Sequence, residues 1–356
     1  MPKAPTMPKA EAAMECFVCM DTEDPMEPMI TPRVSSAMRT GCACRSELAL
    51  AHVGCLARAA EESKQDFAWW SCRTCRKVFT GPMREKLALE FLARTSEDKA
   101  EDPTRRAAAE MNVATAARLE GRYADAAKMH KALYDREVAE RGDESGLAIR
   151  ILTELVADAS GLRCGGAADL GAQLLDVCER ALGPKHASTI RARSDLAVLR
   201  CREGRGTHAE LVTLEQTLRA SIDDAAAHVG HAAHGGHADD NGLLMRAKCN
   251  FCVVLRAMQR HTEAYELESE VLADLTRVFG RYHPNTVKSK YEVACDLSNA
   301  GRHEQAAAVL CELEEDSARV FGPTNIKTRL IASKRALAIR NTNTITATKV
   351  KRQKCS

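Results

Sequence analysis

The chain has 356 residues, 45% of them hydrophobic but only 4% aromatic. That length allows two or three domains, and apolar content carried by alanine and leucine favours helices over sheets. A formal net charge of +2 gives no case for nucleic acid or an anionic membrane surface, and no apolar run reaches the about 20 residues needed to cross a bilayer.

From the N-terminus, Met1–Met14 is rich in Pro, Ala and Lys and lacks the apolar centre of a secretory signal. Residues 1–13 read as disordered, and the expected setting is soluble and cytoplasmic. The chain carries 15 cysteines. In such a reducing compartment the closely paired ones read as metal ligands and the scattered ones as small core residues.

The pairs fall in residues 14–80: Cys16/Cys19, Cys42/Cys44, His52/Cys55 and Cys72/Cys75. Zinc takes four such ligands tetrahedrally, so four pairs make two closed structural sites. Spacing leaves the connectivity open. An interleaved arrangement ties the whole segment together, with Cys16, Cys19, His52 and Cys55 on one zinc and Cys42, Cys44, Cys72 and Cys75 on the other. The segment has few aliphatics, and Pro25, Pro28 and Pro32 keep the loop between Cys19 and Cys42 irregular. It is expected to fold on its metal.

The stretches Gly41-Cys42-Ala43-Cys44-Arg45 and His52-Val53-Gly54-Cys55-Leu56 resemble the RING-CH finger; a PHD finger spaces its third, fourth and fifth ligands differently. The resemblance implies a ubiquitin ligase, which docks a ubiquitin-conjugating enzyme and positions its ubiquitin without a nucleophile of its own. It places Val18 at the apolar docking position and Arg76, after the last ligand, at the basic linchpin. Two positions depart from the pattern: Ala59 stands where a tryptophan is usual, and Arg73 where a proline is common. Trp69 is the residue that could supply the missing docking surface, and Trp70 packs against the second zinc site. The alternative is a non-catalytic scaffold or adaptor.

Residues 81–104 read as a short helix and a linker. Met83–Arg94 is the amphipathic part, with Leu87, Leu89, Phe91 and Leu92 apolar, and the polar linker follows from Thr95 to Pro103.

Residues 105–340 repeat. A glycine-basic phrase ending in alanine recurs at Gly121–Ala126, Gly204–Ala209 and Gly301–Ala306, with degenerate copies ending at Ala168 and Ala264. The intervals between anchors are 42, 41, 55 and 42 residues, the long one containing a His/Gly-rich insert at 223–242. A second phrase recurs in phase: Leu182-Gly183-Pro184-Lys185-His186, Phe279-Gly280-Arg281-Tyr282-His283 and the start Phe321-Gly322-Pro323. Together these are similar to the tetratricopeptide repeats of kinesin light chains. The fold expected is mostly α: a small two-zinc cross-brace finger followed by an α-solenoid of about five helix pairs and a closing helix, Asn325–Arg340. Residues 341–356 read as a basic, disordered tail; its lysines and Arg352 also fit a nuclear signal.

Arrays of this kind bind a protein or peptide along the first helices of the pairs. Fourteen residues before each anchor stand Asn112, Glu154, Asp195, Asn250 and Glu292, all polar, which makes them the expected peptide groove. Its three acids point to a basic peptide. Cys249 and Cys252 fall in core phase rather than as a third zinc pair. His228, His231, His234 and His237 belong to a loop rather than a metal site.

Overall fold

The computed structural model describes residues 18, 38–39, 50–63, 65–74, 78–79, 81–97, 103–162, 165–204, 207–232, 239–321 and 326–354. The fold is mostly α, and it divides into two compact units, residues 1–167 and 168–356.

In the first unit, β1 (Met38–Arg39) pairs antiparallel with β2 (Leu50–Ala51), Met38 opposite Ala51. Helix α1 (Val53–Ser63) follows, then a 3-10 turn at Asp66–Trp69 and α2 (Gly81–Glu97). The array begins with α3 (Pro103–Leu119), α4 (Tyr123–Arg141) and α5 (Gly146–Leu162). One core joins these parts. It contains Ala57 and Ala60 of α1, Trp69, Phe79, then Leu87 and Phe91 of α2 and Ala109 of α3. Trp69 stacks on Phe91 with ring centroids 4.8 Å apart, and Arg94 lies 5.8 Å over the Trp69 ring.

This arrangement corrects two readings. The segment from Gly81 is one continuous helix to Glu97, and Thr95, expected in the linker, is 2% exposed. Leu89, expected on the apolar face, is 50% exposed, because the buried stripe runs through Met83, Leu87 and Phe91 at spacings of four.

The second unit runs through α6 (Ala167–Leu182), α7 (Ala187–Arg202), α8 (His208–Ala232), α9 (Asp239–Ala257), α10 (His261–Phe279), α11 (Pro284–Asn299), α12 (His303–Phe321) and α13 (Ile326–Lys354). From α7 onward each helix packs on the next, and α7 also packs on α9, so first helices of successive pairs meet. α3 and α5 meet likewise in the first unit. This neighbour-on-neighbour packing is that of an α-solenoid.

The recurring phrases are helix punctuation. Gly142, Gly183 and Gly280 end α4, α6 and α10 at φ of 82°, 84° and 83°. Each donates its N–H to the carbonyl four residues back. His186 and His283 then cap the following helices, their Nδ1 accepting from the N–H of Ser188 and Asn285. Thr189 reaches back to the Gly183 carbonyl at 2.8 Å, fixing the angle between α6 and α7. A Cβ at position 280 meets nothing within 4 Å. Gly280→Ala is therefore expected to cost only the left-handed backbone term, about 1–2 kcal/mol, read by denaturant unfolding.

Ala126, Ala264 and Ala306 are 0% exposed and Ala168 is 2% exposed, as their anchor phase predicts. Ala209 is exposed instead. After Gly121 and Gly301 the next helix starts two residues later, whereas after Gly204 it starts at His208, four later. Thr207 and Glu210 form a reciprocal capping box there, the Thr207 N–H donating to Oε2 at 2.7 Å. Two extra residues turn the helix by about 200°, so α8 buries Leu214, Leu218 and Ala225 in place of Ala209.

The described residues of the insert, 223–232 and 239–242, are helical. α8 runs 25 residues, to Ala232, because Ala225–Ala227 carry no breaker. The C-terminal segment read as disordered continues α13 to Lys354, since no Gly or Pro interrupts it.

Candidate metal centre and recognition face

Strand β2 delivers His52 directly to the start of α1, whose first turn carries Cys55. His52 is 0% exposed and Cys55 7%. His52 Nδ1 and Cys55 Sγ lie 3.7 Å apart. Two ligands of one tetrahedral zinc, at Zn–N and Zn–S bond lengths of about 2.1 and 2.3 Å, stand about 3.6 Å apart. The pair therefore fits one metal, and as zinc ligands they would lock the hairpin to the helix without any chemical step. Cys72 is half-buried and follows Ser71, which forms an antiparallel bridge with Val78. Cys16, Cys19, Cys42, Cys44, Cys75 and Arg76 lie outside the described residues. Among the described residues no group of three or more ligating side chains gathers; His52 and Cys55 on the one hand and Cys72 on the other were assigned to different sites.

Val18 is 42% exposed, as a docking residue requires. Trp69 is not on a docking surface: it is 1% exposed, its ring held between Phe91 and Arg94. An aromatic side chain in this alanine-rich core has no free face to offer.

The five polar positions of the expected groove are half-buried or buried, and most are engaged within the fold. In the first unit, Arg118 of α3 ion-pairs with Glu154 of α5 at 2.5 Å and reaches Asp158 at 3.4 Å. Asp158, 0% exposed, also meets His130 Nδ1 at 2.6 Å. The second unit repeats the device. Arg256 of α9 donates Nε and Nη2 to Asp296 at 2.7 Å each, bonds Glu268 at 3.0 Å and pairs with Glu292 at 3.4 Å. Arg118 and Arg256 each follow a groove asparagine by six residues, and Asp158 and Asp296 each follow a groove glutamate by four. Burial works against the Arg256 cation, but the hydrogen bonds and charges of Asp296, Glu292 and Glu268 outweigh it and hold its pKa above the ordinary value.

Asp195 is held by Arg246 at 2.9 and 2.7 Å. Asn250 Nδ2 donates to Ser194 and Asp195, both at 2.8 Å. The three acids are thus already neutralised by arginines, which removes the argument for a basic peptide. The arginines come from positions 36 or more residues away, a separation no local pattern reveals. Burial pushes the Cys249 thiol up to about 12 and raises Cys252 as well, so both are protonated thiols at neutral pH in the metal-free chain. The side chains of His228, His231, His234 and His237 lie outside the described residues.

The sequence matches no protein-family profile and no curated protein. Among solved structures, it is similar to a Podosopora anserina protein described as a kinesin light chain with nearly identical TPR-like repeats. One form of that protein aligns at TM-score 0.45 and 16% identity over 60% of this chain and 95% of its own. A second aligns at TM-score 0.45 and 16% identity over 62% and 99%.

Proposed function

We propose that the chain is a protein-interaction scaffold whose helix pairs hold a partner segment along the polar positions of their first helices, Asn112 and Glu154 in the first unit and Asp195, Asn250 and Glu292 in the second. The observation that supports this is the fixing of the second unit's polar side chains by hydrogen bonds and ion pairs. Asp195 and Asn250 bond each other, and Arg246 grips Asp195 through two nitrogens. A polar face whose rotamers are set before binding loses little entropy on contact. The test is capture of partner by the immobilised full chain, with a variant carrying Asn250→Leu and Asp195→Asn beside it. At least a tenfold loss of affinity is expected from removing two hydrogen-bonding groups. Undiminished capture would reject the face.

Under this reading residues 14–80 are a two-zinc finger that presents a second docking surface. A ligase role is the second reading, favoured by the 3.7 Å approach of His52 and Cys55 at the positions the RING-CH pattern gives them and by the exposure of Val18. It requires a ubiquitin-conjugating enzyme as partner. Autoubiquitination with purified activating and conjugating enzymes tests it, and activity that survives Arg76→Ala would remove the linchpin role.

A further inference from the structure

Helix α13 carries two lines of apolar residues, and the fold uses one of them. Ile331 and Ala338, seven apart, are 4% and 2% exposed and join Leu310 and Leu313 of α12 in one core. Leu330 and Leu337 are also seven apart and stand about 100° round the helix from that line. They are 50% and 44% exposed. Seven-residue spacing keeps both on one stripe, the geometry of a helix–helix seam. Single exposed leucines are ordinary on a surface. These two share their line with a cation: Lys334 is exposed, four residues after the first and three before the second.

Charge decides what fits there. Residues 326–354 include nine lysines and arginines and no acid. Arg335 pairs with Glu314 of α12 at 3.0 Å, and among the described residues it is the one α13 cation with a carboxylate partner. Arg329, Lys334 and Arg340 are exposed. A second copy of this helix would bring like charges together. A bilayer surface takes a broad apolar face, whereas Ser333 and Lys334, both exposed, flank the leucine line on either side. Nucleic-acid phosphates would engage the cations and leave the leucines in water. An acidic helix with a narrow apolar stripe satisfies both features together.

We propose that the Leu330–Leu337 line of α13 is a docking seam for an acidic amphipathic helix of a partner protein. The partner's apolar stripe takes the exposed half of each leucine out of water. Its flanking carboxylates meet Lys334, Arg329 and Arg340, which set orientation and speed the encounter. This surface lies on a different helix from the polar positions assigned above and stands apart from that reading.

The experiment uses the full chain and a fluorescent helical peptide of about three heptads, with leucine at a and d and glutamate at the flanking positions. Binding is read by anisotropy. The other arms are the same peptide with lysine in place of glutamate, and vesicles of phosphatidylserine and phosphatidylcholine. Saturable binding of the glutamate peptide is expected, with none of the lysine peptide. Leu330→Ser with Leu337→Ser should weaken it on the order of tenfold and leave the melting temperature unchanged, because both side chains are half outside the core. Lys334→Glu should weaken the glutamate peptide and admit the lysine peptide. No binding of the glutamate peptide, or binding that both variants leave intact, overturns the seam. So does a fall in melting temperature of the leucine variant, which would place those leucines inside the fold. Tighter binding to the vesicles would assign the face to a membrane instead. A dimer of the wild-type chain that the leucine variant abolishes in sedimentation would assign it to a second copy. The Asn250→Leu, Asp195→Asn variant should bind the peptide as the wild type does; if it loses the peptide, the peptide sits in the groove and the seam is rejected.

Discussion

Replacing Arg256 with methionine should destabilise the second unit by about 3–5 kcal/mol. The substitution keeps most of the side-chain volume and removes the only cation that reaches Asp296 and Glu268 together among the described residues. Asp296 is 0% exposed and the Glu268 side chain 3%, so neither can turn to water. Ser289 still bonds Glu268 at 2.7 Å, but a hydroxyl does not balance a buried carboxylate. Two companions sharpen the test. Arg246→Met breaks a pair with the Arg246 side chain 54% exposed, and should cost less than about 1 kcal/mol. Adding Asp296→Leu to Arg256→Met should recover much of the loss, because an apolar residue replaces an orphaned charge. Urea unfolding of the full chain measures all three; equal losses for Arg256→Met and Arg246→Met would mean the buried network carries no special weight.

The second large effect concerns metal. On the proposed two-zinc reading, chelation of the purified chain should unfold residues 14–80, since structural zinc is worth roughly 10–16 kcal/mol of apparent binding energy to a segment that folds on it. The consequence should reach beyond the finger. Trp69 packs with Phe91 of α2, so losing the finger exposes the indole. Elemental analysis should find two zinc ions per chain, and tryptophan emission should move to longer wavelength on chelation. No zinc, or an unmoved emission spectrum, rejects the metal assignment.

Much of the array was legible in the sequence because its punctuation is local. A glycine in the left-handed region followed three residues later by a capping histidine is readable at Gly183–His186 and Gly280–His283 without any tertiary knowledge. The phase failed at Ala209 for an equally local reason, the two-residue delay caused by the Thr207 cap, which an alanine count does not weigh. The insert misled by composition: histidine and glycine suggested a loop, while the alanines before them extended α8. The charge networks were out of reach, since Arg118 and Arg256 find their acids only after repeats stack. Trp69 was misplaced because a tryptophan near a predicted docking surface and one at the heart of a core look alike until α2 is laid against it.

The shared core of α1, the 3-10 turn, α2 and α3 has a geometric consequence. With Phe91 and Ala109 belonging to the same packed group as Ala57 and Trp69, whatever docks on α1 or the 3-10 turn arrives on a fixed bearing to α3, as two arms of a set square. A single residue added within α2 would swing one arm by about 100° and tear the corner that joins them. Reach and angle at this end of the chain are therefore not adjustable by lengthening a spacer, and a segment cut out near residue 80 would carry away half of the corner rather than a free-standing module.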